Sequence, residues 1–134
     1  MTKVEATNRE FLDLFRGLES VKQIKGARFA VLVGKNLKEL RHHLEPIEKA
    51  AVPTIKFQEV SVQMQELADK EDKDAMIKLE EENTDLIEER KVQLAAVEDM
   101  LEEPAELFLH VIKEAKLPEE ITGEHIEKLI KIIE

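Results

Sequence analysis

Apolar residues recur along this chain mostly at steps of three and four, the spacing that collects them on one face of an α-helix. In residues 5–21, Phe11, Leu14, Phe15, Leu18 and Val21 form such a stripe, with Asp13, Arg16 and Glu19 opposite. Gly17 weakens that helix, at a typical cost of ~1 kcal/mol relative to Ala, and Gly26 marks a break. From 27 to 51, Phe29, Val33, Leu37, Leu40, Leu44 and Ile47 continue the spacing and predict a second helix. A strand over Phe29–Val33, closed by a Gly34-Lys35-Asn36 turn, is the competing reading; the unbroken stripe through Leu44 favours helix. Pro46 has no amide hydrogen, which predicts a kink or restart, and Pro53 closes the segment.

Residues 54–101 contain neither Gly nor Pro. Phe57, Val60, Met64 and Leu67 make one stripe. Met76, Leu79, Leu86, Leu94, Val97 and Leu101 make another, interrupted by Asn83 and Arg90. Between them ADKEDKDA (68–75) offers no apolar side chain larger than Ala, so it reads as the tip of an antiparallel helical hairpin, with one continuous helix as the alternative. After Pro104 the pattern changes. Phe108, Val111 and Ile112 within 106–118 suit a short strand, which needs a partner for its backbone groups, either Phe29–Val33 or the same strand of a second subunit. Thr122 is a candidate N-cap with Glu124 in the first turn, and Ile126, Leu129, Ile130 and Ile133 stripe a final short helix. The expected fold is mainly α: a helical hairpin or bundle with one short C-terminal β-strand and a final short helix.

At 134 residues the length suits one domain, divided into N-terminal helices (1–53), a charged helical arm (54–103) and a strand plus C-terminal helix (104–134). A thin arm can bury only one face by itself and takes most of its stability from packing, which predicts a homo-oligomer. The chain has no Cys, which excludes disulfides and Cys-ligated metal. No apolar run approaches the ~18 residues of a membrane span, and the N-terminus lacks the apolar core of a signal peptide. The expectation is a cytoplasmic protein with no membrane partner.

Charge changes the picture. The net charge of −10 opposes direct binding to nucleic-acid backbone. It is unevenly spread: residues 22–43 carry six basic residues against Glu39 alone, a net +5, whereas residues 44–134 carry 11 basic and 25 acidic residues. A basic island in an acidic chain is a candidate site for a small anion. Its candidate ligand-binding residues are Arg28, Lys35, Asn36, Lys38, Arg41 and His42. Arg28 and Arg41 suit bidentate phosphate contacts and Lys35 a point-charge contact. The competing reading pairs the island with the acidic arm. Catalytic chemistry finds little support. Ser20 and Ser61 have no neighbouring His, no Gly-rich phosphate loop is present, and His42 and His43 lack the i, i+4 spacing of a helical zinc site. No enzyme activity, catalytic residue, metal or cofactor is expected.

Phe29-Ala30, Lys35-Asn36, Glu45 with Ile47, Pro53, Leu117-Pro118 and Ile121-Thr122 together resemble a family of small uncharacterised acidic, helical proteins common in bacteriophage genomes. The likeness covers both ends of the chain and leaves 1–20 and most of 60–100 outside it. Val33-Gly34 departs from a more alanine-rich segment in that family. The resemblance implies a phage or prophage origin and action in the cytoplasm of a host bacterium. Joined to the basic island, it leads to a non-enzymatic accessory protein that counters host defence by binding, as a sponge for a nucleotide-type immune signal. The alternatives are a virion assembly chaperone, scaffold or minor structural protein, and an acidic inhibitor that blocks a host nucleic-acid enzyme. Expected partners are further copies of the chain, a small anionic ligand, and a host or phage protein.

Overall fold

The computed structural model describes all of residues 1–134. The chain is mainly α, with a two-stranded antiparallel sheet made from its two ends. The elements are β1 (Thr2–Thr7), α1 (Asn8–Val21), α2 (Ala27–Ala51), α3 (Ile55–Asp69), α4 (Lys73–Glu82), α5 (Thr84–Glu102), β2 (Pro104–Leu109) and α6 (Gly123–Leu129). They divide into two compact units: Met1–Pro46 with Met100–Glu134, and Ile47–Asp99.

In the first unit β1 pairs with β2, Val4 opposite Leu107 and Thr2 opposite Leu109. The partner of the C-terminal strand within the chain is therefore not Phe29–Val33, which is helical. It is the N-terminal hexapeptide, whose short alternation is hidden by the helical stripe that follows it. The strand also sits earlier than the sequence suggested. Ala105, Leu107 and Leu109 share one face, with Leu109 fully buried, whereas Phe108 points outward and is 58% exposed. At Thr7 the chain turns into α1 through a capping box: the Thr7 hydroxyl accepts from the Glu10 amide, and the Thr7 amide donates to the Glu10 carboxylate at 3.1 Å. Each half satisfies a backbone or side-chain group that the helix end would otherwise leave open.

Phe11, Leu14, Leu18 and Val21 of α1 enter the core together with Phe29, Val33, Leu37, Leu40 and Leu44 of α2. Gly26, at φ +132, occupies backbone space that favours glycine and separates the two helices. Gly17 has a second use beyond weakening α1: a Cβ there would lie 2.9 Å from Lys128 Cβ, so its bareness lets α1 approach α6. Thr122 caps α6 as expected, accepting from the His125 amide at 3.2 Å. The helix then tightens into a 3₁₀ turn, Ile130–Ile132. Ile132 consequently fills the core and Ile130 faces out at 59% exposure, the reverse of the helical-stripe expectation. Pro46 lies within α2 without a restart.

The second unit contains α3, α4 and the adjoining parts of α2 and α5. Its hairpin turn falls at Lys70–Asp72, with Glu71 at φ 56, inside the tip read from the sequence. α4 ends at Asn83, which donates its amide to the Leu79 carbonyl at 2.8 Å. Arg90 interrupts the apolar stripe for a reason. Its guanidinium donates to the Ala51 carbonyl at 2.9 Å and lies over the Phe57 ring, while Gln93 donates to the carbonyls of Ala50 and Val52. Side chains of α5 thus serve the carbonyls that the end of α2 leaves open. Neither α3 nor α4 buries a single side chain.

Candidate functional site

The first turns of α2 and the segment after β2 face each other across a groove in the first unit. Phe29, Leu32, Val111 and Ile112 form an apolar floor, and Arg28, Lys113 and Lys116 stand on its rim; its volume is about 540 Å³. A second groove of about 310 Å³ shares Arg28 and Leu32 and adds Ala27, Val31, Lys35 and His110. No carboxylate lines either groove. The first turn of α2 also carries no acidic residue, so nothing there offsets the positive end of the helix dipole beside Arg28.

The far wall is fixed from two sides. Asn36, completely buried, donates its amide to the His110 carbonyl and accepts from the His110 amide, both at 2.8 Å. On the other side, the Ile112 amide donates to the Ile132 carbonyl, and the Glu134 amide donates to the Ile112 carbonyl, both at 2.7 Å. A 3₁₀ turn at Glu114–Lys116 follows. The Lys116 amide donates back to the Lys113 carbonyl at 2.8 Å, and both lysines line the groove. These hydrogen bonds fix the far wall of the groove within the fold.

The six residues singled out by sequence separate into distinct places. Arg28 and Lys35 line the grooves and make no ion pair. Lys38 and His42 are exposed on α2 and line neither groove. Arg41 turns away: its guanidinium pairs with Glu19 at 3.2 Å and lies over the Phe15 ring. Glu19 also receives Lys22 at 2.6 Å, and these cations, Lys22 foremost, hold its carboxyl below the ordinary range. Asn36 is a structural staple rather than a neutral hydrogen-bonding group open to ligand, because both ends of its amide are taken by His110. The island is thus partly neutralised by a carboxylate of α1.

Lys113 and Lys116, about 80 residues from the island, join it only through the fold. In sequence they sit among acids in a stretch read as strand. The one available signal was that KEAK interrupts the apolar run after Ile112. His43, beside the candidate His42, is half-buried against α1 instead. Its Nε2 meets Asn8 Oδ1 at 2.7 Å, its ring meets Phe11 edge-on, and burial, aided by His42, pushes its pKa down. No group of three or more His, Asp or Glu side chains is placed to hold a metal ion. No helix is long and apolar enough to cross a membrane. Comparison of the chain with protein families, with curated proteins and with solved structures finds no match.

Proposed function

We propose that this protein is a non-catalytic binder that holds a small anion of nucleotide type in the α2 groove and so withdraws it from solution. The observation that carries this reading is an apolar floor rimmed by Arg28, Lys113 and Lys116 with no carboxylate in its lining. A nucleotide presents the matching surfaces. Its flat, weakly hydrated base can cover Phe29, Leu32 and Ile112, while its phosphate meets cations that have no partner within the protein. Arg28 supplies the bidentate contact and the lysines supply point charges. The volume lies in the range of small-molecule sites, ~300–1,000 Å³. The likeness to small phage proteins supports a phage accessory role against host defence, with the trapped nucleotide an immune signal.

One feature favours a second reading, in virion assembly. The apolar stripes of α3 and α4 are only half-buried, and Ile55, Val62 and Ile77 beside them are more than half exposed. Helices of this kind rely on packing against a partner, either another copy of the chain or a structural protein. Light scattering at micromolar concentration reports the first, and co-purification with capsid or tail proteins the second.

A thermal-shift screen against mono-, cyclic and ADP-ribose-type nucleotides tests the main reading. A ligand present at 100 times its Kd stabilises the fold by ~2.7 kcal/mol, which is readily seen. Arg28→Glu, a change at an exposed position, should remove the shift and leave the unliganded melting temperature nearly unchanged. Absence of any shift across the nucleotides at millimolar concentration contradicts it.

A further inference from the structure

We infer that the groove takes a ligand with two anionic groups set on either side of an apolar or aromatic body, and that a simple monophosphate fills only half of it. This rests on the nucleotide-binding reading above and adds the number and placement of the ligand's charges.

The inference comes from how the cations are distributed. The two grooves adjoin each other at Arg28 and Leu32, which line both. Lys113 and Lys116 belong to one end and Lys35 to the other. Arg28 and Lys35 are seven residues apart on α2, two turns on the same side of the helix, a separation of about 10 Å along its axis. Between them on α2 lie Leu32 and Val31, with Phe29 on the floor of one groove and His110 lining the other. A single phosphate reaching Arg28 and the two lysines leaves Lys35 unused and covers little of the apolar middle. A nucleoside carrying phosphates on both its 5′ and 3′ oxygens places base and ribose over the middle and one anion toward each end. Lysine stems are long enough to close the remaining distance while keeping their ammonium groups wet.

Lys113 and Lys116 are exposed, as is Lys35, and none is tied to a carboxylate. Replacing them leaves the core intact.

Isothermal titration of the whole protein with adenosine 5′-monophosphate and with adenosine 3′,5′-bisphosphate, at equal ionic strength, decides the matter. The bisphosphate should bind at least about tenfold tighter, the least expected from one further charge-assisted contact. In Lys35→Glu, and separately in the double variant Lys113→Glu/Lys116→Glu, that ratio should fall to near one. Equal affinity for the two nucleotides in the unaltered protein overturns the two-anion ligand while leaving the nucleotide site standing. A ratio that survives both variants also overturns it, since the second phosphate is then held elsewhere. If neither nucleotide binds at millimolar concentration, the nucleotide reading falls and this inference with it. Circular dichroism melts of both variants, expected to match the unaltered protein, confirm that a lost ratio is not lost folding.

Discussion

Asn36→Leu is the substitution that most sharply separates a staple from a ligand contact. Asn36 is fully buried, and its two hydrogen bonds, each 2.8 Å, satisfy both backbone groups of His110. Leucine is of similar size and keeps the packing but leaves the His110 amide and carbonyl without partners. A buried donor or acceptor left open costs ~1–3 kcal/mol. His110 is half-buried, so the lower part of that range applies to each group, and the variant should lose about 2–4 kcal/mol in all. Against the ~5–15 kcal/mol of an ordinary domain, that is a large fraction. Urea denaturation followed by circular dichroism reads it as a lower midpoint with an unchanged slope. Asn36→Asp adds a second arm. Its carboxylate can still accept from the amide but opposes the carbonyl, so it too should be destabilised, and the deficit relative to the unaltered protein should shrink as pH falls and the carboxyl protonates. A loss under about 1 kcal/mol in Asn36→Leu refutes the staple, because leaving two groups open cannot cost so little.

Other expectations follow from single sites. Gly17→Ala should destabilise by about 1–3 kcal/mol despite the better helix former, because the new methyl meets Lys128 Cβ at 2.9 Å. Gly34→Ala, with nothing within 4 Å of the new atom, should instead stabilise by about 0.5–1 kcal/mol, and thermal melts of the pair show opposite signs. Stability should fall with acid in two stages. His43 has its pKa lowered, first by burial and then by His42, so its folded state prefers the neutral ring; stability is full above about pH 6.5 and declines below it as the unfolded chain takes up the proton first. Glu10 has its pKa lowered by hydrogen bonds from Lys131 and the Thr7 amide, so its contribution is present above the unfolded value of about 4.3 and is lost as pH falls through the depressed folded one. Urea melts from pH 8 to pH 3 should show His43→Gln flattening the first stage and Glu10→Gln reducing the second.

Long regular patterns were legible in the sequence and short or composite ones were not. The α2 stripe was read correctly because five of its apolar positions, Phe29 to Leu44, are all buried, and periodicity over so many turns outweighs the two valines that suggested a strand. The Thr122 cap was likewise read from local chemistry. β1 was missed because TKVEAT has one large apolar residue, Val4, and pairs with a strand about 100 residues away. β2 was misplaced because Phe108, Val111 and Ile112 look like a strand core, yet the true core face is Leu107 and Leu109 and the chain leaves the sheet at His110. The cationic site was half legible. Arg28 and Lys35 stood out as charge excess, but Asn36 looks polar and available until its burial against His110 is known. Lys113 and Lys116 join the rim only because β2 and the Asn36 staple carry them there.

The central claim is that the groove between the start of α2 and residues 110–116 receives a small nucleotide-type anion. Amide chemical-shift mapping of the isotope-labelled protein during titration with adenosine 3′,5′-bisphosphate tests it most directly. The account predicts saturable shifts concentrated at residues 27–35 and 110–116, with the helices of 55–99 unmoved. Shifts that fall on the acidic helices, or no shift at 27–35 and 110–116 with the nucleotide at millimolar concentration, contradict it.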